Sequence, residues 1–413
     1  MKYIIILIDG MADYRIAELG NKTPLQYAKT PAMDSIARNS EMGMVRTIPD
    51  GMAPGSDTAN LSVLGYDPKK YHTGRSSLEA VSLGIDLSED DLVFRCNLVT
   101  LSEEDDYTDR TMVDYSAGEI PTNQSRVLIE DIGSKLQTEK IKFFPGVSYR
   151  HIIVWKGGPD GNILTPPHDI LDKKISDYLP GGPGSSSLLD MMVRSSSLLK
   201  EHAINKERIK KGTRPANSIW IWGEGKKPAL DSFYEKYKLE GSVISAVDLI
   251  KGIGILAGLQ PVEVEGATGT INTNFKGKAS AAIDQLRGGK DFVYLHLEAT
   301  DECSHQGNVR DKVRAIEIID REVIGPIKEA LDSSDMDYRM MILPDHYTPI
   351  SVRTHTSEPV PFLIYNSTGK TDSNRKADNK IERFDEFSAR ETGLYFKEGY
   401  RLADYFLEKK ARL

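Results

Sequence analysis

The chain has only two cysteines, Cys96 and Cys303, in 413 residues. That excludes a disulfide framework. Long apolar runs are missing too. The opening stretch Ile4 to Ile8 is cut by Asp9, and it is too short for a signal core or a membrane span. The cytoplasm is therefore the expected place, with no membrane as partner. There is no Lys/Arg block either. With 53 Lys plus Arg against 61 Asp plus Glu the net charge is −8, so the chain carries no footprint for nucleic-acid binding. Internal repeats, a P-loop and a kinase glycine-rich loop are all absent. What remains, 39% hydrophobic and 28% charged, is the composition of an ordinary globular protein. It is long enough for a large core and for two or three domains.

The segment Tyr3 to Ile8 is an unbroken, mostly β-branched run that stops at Asp9-Gly10. Such runs suit strands covered on both faces, as in parallel sheets. Similar runs recur at Ser218 to Trp222, Ser242 to Ser245, Asp291 to Leu297, Arg339 to Leu343 and Pro361 to Tyr365. Helical patterns lie between several of them: Val247 to Ala257, Lys278 to Leu286, Val309 to Leu331 and Gly399 to Lys410. Alternating strands and helices predict an α/β fold with a mostly parallel sheet and helices on both faces.

The middle of the chain reads differently. Strands at Leu92 to Leu101 and Thr111 to Tyr115, a helix over Asn123 to Leu136, a strand around Tyr149 to Trp155 and a helix over Ser186 to His202 suggest an inserted α+β cap. The expected division is a discontinuous core, residues 1–90 and 213–413, with a cap at 91–212. Leu179 to Ser187 reads as flexible. Lys210 to Pro215 reads as the return hinge. Asn366 to Lys380 is the most polar stretch and reads as a mobile loop.

Histidine is scarce, with eight in the chain, yet His296, His305, His346 and His355 fall within 60 residues where even scattering puts about one. His296 lies inside a strand and reads as a satisfied core histidine. Asp301 and His305 are four apart, so one helical turn puts both on one face, a metal-ligand spacing. Asp345-His346 follows directly on a buried strand, and His355 comes nine residues later. Asp9 is a third aspartate in the same position, at the carboxyl end of a buried strand, where open α/β sheets bind their ligands. Three aspartates brought to one edge repel unless a cation lies between them.

The remaining element is Pro54-Gly55-Ser56. Ser56 opens a helix expected over Asp57 to Leu64, whose free N–H groups and dipole suit an alkoxide and then its phosphate ester. Thr58 is the nearest rival nucleophile. Taken together, Asp9, Ser56, Asp301, His305, Asp345, His346 and His355 predict a site for two divalent metals. Two such cations against three carboxylates leave one positive charge, which an ionised Ser56 cancels; a phosphate dianion is then accepted. Nitrogen and oxygen donors without thiolate suit Mn²⁺, Mg²⁺ or Zn²⁺.

Several stretches carry a family resemblance: Asp9-Gly10, PGSDTANLSVLGYDP at 54–68, YHTGRSSLEAVSLGI at 71–85, FRCNLVTL at 94–101, DYSAGEI at 114–120, GATGTINTNFKGKA at 266–279, ATDECSHQG at 299–307, LPDHYTP at 343–349 and RTHTSEPVPF at 353–362. On these, over essentially its whole length, the chain resembles the cofactor-independent (2,3-bisphosphoglycerate-independent) phosphoglycerate mutases of archaeal type, in the alkaline phosphatase superfamily. The resemblance implies Ser56 as phosphoserine nucleophile. It implies one metal on Asp9, Ser56, Asp345 and His346 and another on Asp301, His305 and His355, with no 2,3-bisphosphoglycerate. The substrate implied is a small molecule, 3-phosphoglycerate, rearranged to 2-phosphoglycerate in glycolysis and gluconeogenesis.

The cap is then expected to supply the substrate contacts, with the active site between the domains. Candidates are Arg75, Arg95, Asn97, Asp114, Ser116, Arg150, His151, His168, Asp169 and Arg214, with Asp114 or His151 as general acid. The rival readings are a metal-dependent phosphatase or another phosphomutase on the same core and, more remotely, a non-catalytic metal- or ligand-binding protein.

Overall fold

The computed structural model describes residues 1–369 and 382–408. Most of the polar stretch 366–380 and the last two residues of the helix expected to reach Lys410 lie outside them. In chain order the strands are β1 (Lys2–Ile8), β2 (Ser40–Val45), β3 (Asp91–Leu101), β4 (Met112–Asp114), β5 (Ile141–Phe144), β6 (Arg150–Lys156), β7 (Ser218–Lys226), β8 (Gly241–Ile244), β9 (Gln260–Pro261), β10 (Phe292–Leu297), β11 (Tyr338–Leu343), β12 (Val360–Asn366) and β13 (Tyr395–Phe396). Two units result: residues 1–72 with 230–413, and residues 73–229.

The first unit is built on an eight-stranded sheet in the order β13-β2-β12-β11-β1-β10-β8-β9. Its centre, β11-β1-β10-β8, is parallel, while β12 runs antiparallel to both β11 and β2. In β1 every residue from Tyr3 to Ile8 is buried, as an unbroken apolar run requires. Each fully buried isoleucine or leucine contributes about 1.5–3 kcal/mol. Expected helices appear at Asp248–Leu256 and Phe275–Arg287. The helix expected over Val309 to Leu331 is interrupted: an α-helix at Val309–Ile319 passes through a π-helical turn at Asp320–Ile324 into a second α-helix at Gly325–Asp332. Pro326 has no N–H to give and stands at the start of the second helix. The buried Asp320 accepts from Ala32 and Met33 N–H at 3.0 and 2.8 Å, anchoring the wide turn.

The second unit holds the five-stranded sheet of β4, β3, β6 and β5, with β7 also on β3. The limits fall at 72/73 and 229/230, not at the expected 90/91 and 212/213. The run Ser218 to Trp222 pairs antiparallel with β3 rather than joining the large sheet. The helix Arg75–Ser82 packs on β3 and β7, with Ser76 Oγ donating to Val93 O at 2.9 Å.

The expected return hinge at Lys210 to Pro215 lies inside this unit, where Arg208 Nε donates to Arg214 O at 2.9 Å. The Gly/Pro stretch at 179–187 is tied down as well. Ile163 and Gly181 exchange backbone bonds of 2.9 Å, and Gly184 N donates to Asn162 Oδ1 at 2.6 Å. The core of the unit gathers Leu92, Phe94 and Leu98 of β3 with Ile129 and Ile132 of the helix Thr122–Leu136 and Met192 of the helix Ser185–Lys200.

Candidate metal centre and nucleophile

Parallel pairing decides the geometry. Ile8 is in register with Leu297, and Leu7 with both His296 and Leu343, so β1, β10 and β11 end at one sheet edge. Asp9 follows β1, Asp345 follows β11, and the helix Ala299–His305 begins just after β10 with Asp301 and His305 one turn apart. Gly10 turns the chain here with φ of 61°. A side-chain carbon on it would lie 2.6 Å from Asp301 Oδ1 and from Thr348 Oγ1, so only glycine lets the two strand ends close up. Gly10 N donates to Asp345 Oδ1 at 3.1 Å. His355 comes from the loop after β11, where Thr356 N donates to Tyr347 O at 3.0 Å.

Ser56 is the first residue of the helix Ser56–Val63, all of it buried. Its Oγ is 3.2 Å from His346 Nε2. Asn60, one turn on, donates to Ser56 O at 2.8 Å and to Asp345 Oδ2 at 3.1 Å. Tyr294 of β10 holds Asn60 in turn, donating to its Oδ1 at 2.5 Å. The nucleophile candidate and the carboxylate are thus fixed on one amide.

Hydrogen-bond directions set the imidazoles. Thr348 Oγ1 donates to Asp301 Oδ1 at 2.6 Å, so it accepts from His346 Nδ1 at 3.1 Å. That leaves His346 Nε2 bare, 3.2 Å from Asp345 Oδ2 and 3.7 Å from Asp9 Oδ1. His305 Nδ1 donates to Arg353 O at 2.9 Å. Its Nε2 lies 3.0 Å from Asp301 Oδ2 and 3.1 Å from His355 Nε2. A backbone carbonyl on one ring nitrogen, freeing the other, is the usual arrangement of a metal-binding histidine.

Donor atoms therefore converge in two groups, Asp9–Asp345–His346 and Asp301–His346–His355, each within 4.8 Å, and His305 faces the space of the second. Asp9 Oδ1 is buried without a hydrogen-bond partner. An orphaned carboxylate oxygen 3.7 Å from the bare Nε2 of His346 fits a divalent cation.

Electrostatics agree. Burial pushes the Asp9 carboxyl well up, and the charges of Asp345 and Asp301 push it further. Burial would also raise Asp301, but its hydrogen bonds with His305 and His355 outweigh that and hold it well below the usual range. The bond to Asp301 lifts His305 to about 9; a cation competes with that proton for Nε2. Burial lowers His346 and brings His296 down to about 3, so both rings are neutral near pH 7.

All seven core residues singled out in the sequence meet here. Sequence reasoning read His296 as a satisfied core histidine, which its burial and two ring hydrogen bonds bear out. It missed the other residues that hold them: Asn60, Tyr294, Thr348 and the buried Lys312, whose Nζ reaches Asp13 Oδ2 at 2.8 Å and Thr348 O at 3.0 Å. Asn60 alone left a local signal, being four residues after Ser56 on one helix face.

The ten candidate contacts all fall in the second unit. Arg95 lies 4.7 Å over the Trp222 ring and is paired with Glu79 through Nε at 2.8 Å. Asn97 spends both ends of its amide internally, donating to Tyr115 O at 3.0 Å and accepting from Trp222 Nε1 at 2.9 Å. The exposed His168 stands edge-on to Trp222 at 5.4 Å, with Asp169 beside it at 3.6 Å. Arg75 and Arg150 are exposed.

Asp114 accepts from Ser116 N, Ser116 Oγ, Gly118 N and Arg214 Nη1. These bonds overcome its burial and hold it below the ordinary carboxyl range, which suits an anion and not a proton donor. His151 is 2% exposed and accepts from Gly146 N at 3.0 Å. Burial takes it down to about 3. It is a buried histidine of this unit, on a strand buried from His151 through Val154, and neither general-acid expectation fits.

Comparison with known proteins gives a consistent picture. Residues 37–205 match the family model described as 2,3-bisphosphoglycerate-independent phosphoglycerate mutase. A probable 2,3-bisphosphoglycerate-independent phosphoglycerate mutase of Geobacter sulfurreducens is 48% identical over 411 residues, covering 99% of this chain and 100% of the relative. A 2,3-bisphosphoglycerate-independent phosphoglycerate mutase of Methanosarcina barkeri is 48% identical over 395 residues, 95% of this chain and 96% of the relative. The solved cofactor-independent phosphoglycerate mutase of Thermoplasma acidophilum superposes with a TM-score of 0.66 at 28% identity, covering 99% of each chain.

Proposed function

Because the chain belongs to the 2,3-bisphosphoglycerate-independent phosphoglycerate mutase family, we propose that it interconverts 3-phosphoglycerate and 2-phosphoglycerate through a phosphoserine at Ser56. The observation that carries this reading is the placement of Ser56 Oγ, 3.2 Å from His346 Nε2, at the edge where Asp9, Asp301 and Asp345 converge. Two divalent cations complete the reading, one on Asp9, Ser56, Asp345 and His346 and one on Asp301, His305 and His355. When bound, they supply Lewis-acid chemistry, lowering the pKa of the serine hydroxyl and offsetting phosphoryl charge. Mn²⁺, Mg²⁺ and Zn²⁺ all suit these donors.

The chain's own residues do the rest. Ser56 Oγ gives up its proton and attacks phosphorus as the bond from phosphorus to the 3-oxygen of the substrate breaks, and the 3-oxygen takes up a proton, leaving glycerate. The N–H groups at the start of its helix face the oxygens of the phosphate ester. Asn60 keeps Ser56 and Asp345 in fixed relation while glycerate turns. The 2-hydroxyl then gives up its proton and takes the phosphoryl group back, and Ser56 Oγ regains a proton. The anionic substrates stay in the cytoplasm by their charge, and we place the protein there. Among the described residues no helix is long and apolar enough to cross a membrane.

An enolase-coupled assay on the purified chain with 3-phosphoglycerate and Mn²⁺, with and without chelator, tests the reading. The expected result is 2-phosphoglycerate formation that chelator abolishes and Mn²⁺ restores. Free phosphate accumulating without 2-phosphoglycerate makes the chain a phosphatase instead.

A further inference from the structure

Asp9 is held from behind by a chain of hydrogen bonds that runs through His296 to Ser245. Val247 N donates to Ser245 Oγ at 3.0 Å. The Ser245 hydroxyl hydrogen is then free for His296 Nδ1, 3.2 Å away. A ring that accepts at Nδ1 carries its proton at Nε2, and Nε2 lies 3.0 Å from Asp9 Oδ2.

Ser245, His296 and Asp9 are all buried, so water does not compete for these bonds. The carbonyl of His296 accepts from the buried Lys278 Nζ at 3.3 Å, and its backbone is in register with Leu7 on β1, two residues before Asp9. Oδ2 of Asp9 is thus taken, while Oδ1 is buried with no partner, on the side of His346.

We propose that His296 is a positioning residue for Asp9. It occupies Oδ2, fixes the rotation of the carboxylate through Ser245, and leaves Oδ1 as the single oxygen offered to a cation. This rests on the reading above that Asp9 shares one of two cations with Ser56, Asp345 and His346. A histidine that merely filled the core would stabilise the fold without discriminating between the two ions; a positioning histidine acts on one of them.

The test is a titration of the chelator-stripped full chain with Mn²⁺, followed by calorimetry, for wild type, His296→Leu, His296→Gln and Ser245→Ala. Thermal unfolding without metal is recorded beside it. His296→Leu keeps the bulk and removes the donor, so one of the two Mn²⁺ affinities is expected to fall about 10- to 100-fold and the other to stay within about 2-fold. His296→Gln, whose amide N–H can reach Oδ2, recovers most of the loss. Ser245→Ala shows a smaller loss at the same ion, and it carries the test alone should His296→Leu fail to fold. If wild type binds two ions and His296→Leu holds both as tightly, or loses both alike, the proposal is overturned. If wild type binds fewer than two ions, it is the two-cation reading that fails.

Discussion

The Ser56 hydroxyl meets the imidazole of His346, brought to it from 290 residues further along the chain, at 3.2 Å. Thr348 fixes the direction of that contact by accepting at 3.1 Å from the other ring nitrogen, so the serine is the donor. A helix start and a strand end are thereby locked into one unit, with Asn60 bridging them a second time.

Replacing Ser56 by Ala is expected to cut turnover by about 10³-fold or more, since the covalent step goes with the oxygen. Incubation with ³²P-labelled 3-phosphoglycerate labels the wild-type chain and leaves Ser56→Ala unlabelled. Unchanged turnover in the coupled assay rules out the covalent route.

Asp301 gathers three imidazoles, hydrogen-bonded or within 3.5 Å for His305 and His355 and linked to His346 through Thr348. Asp301→Asn keeps the shape and removes the charge. Elemental analysis of the variant at saturating Mn²⁺ is expected to show one bound ion per chain where wild type shows two, with activity down by about 10²-fold or more. Two ions in both proteins is the contrary result.

Lys312 and Asp13 form an ion pair with neither side chain exposed beyond 1%. Lys312→Met leaves a buried carboxylate without its counter-charge, at a cost of about 3–5 kcal/mol. Urea unfolding measures it, and adding Asp13→Asn is expected to return part of the loss. A cost below about 1 kcal/mol means that the pair is replaceable by packing.

Stability also carries a pH signature from Glu386. Burial lifts this carboxyl to about 7, against about 4.3 in an unfolded chain. The folded state therefore binds the extra proton between these values. Its contribution is present in full below about pH 4.3 and is lost as pH rises through 7. Glu386→Gln mimics the protonated form, so its urea midpoint, compared with wild type at pH 5, 6, 7 and 8, gains relative stability toward higher pH. The gain is on the order of 2–3 kcal/mol. A difference that stays constant with pH removes Glu386 as the source.

The sequence made the ligand edge legible because its signals are local. Each of Asp9, Asp301 and Asp345 follows a buried apolar run by a few residues, and Asp301 and His305 have helical spacing. The supporting residues were hidden because their roles arise across the sheet. His296 becomes the partner of Asp9 only when β10 lies beside β1 in the observed register, and nothing near it in the chain says so. The run Ser218 to Trp222 is equally apolar whichever sheet it joins, so its pairing with β3, and with it the unit limits, could not be read from composition. The π-turn at Asp320–Ile324 was masked by an apolar periodicity that continues through it.

The central position of β1 has a consequence for biosynthesis. Its neighbours in the sheet are residues 292–297 and 338–343, which leave the ribosome long after residues 2–8. Residues 73–229, by contrast, are contiguous and hold their own sheet and core, and so can fold while the remainder is still being translated. The most hydrophobic strand of the large sheet thus spends much of synthesis without its partners, as a sticky segment that a nascent-chain chaperone would recognise.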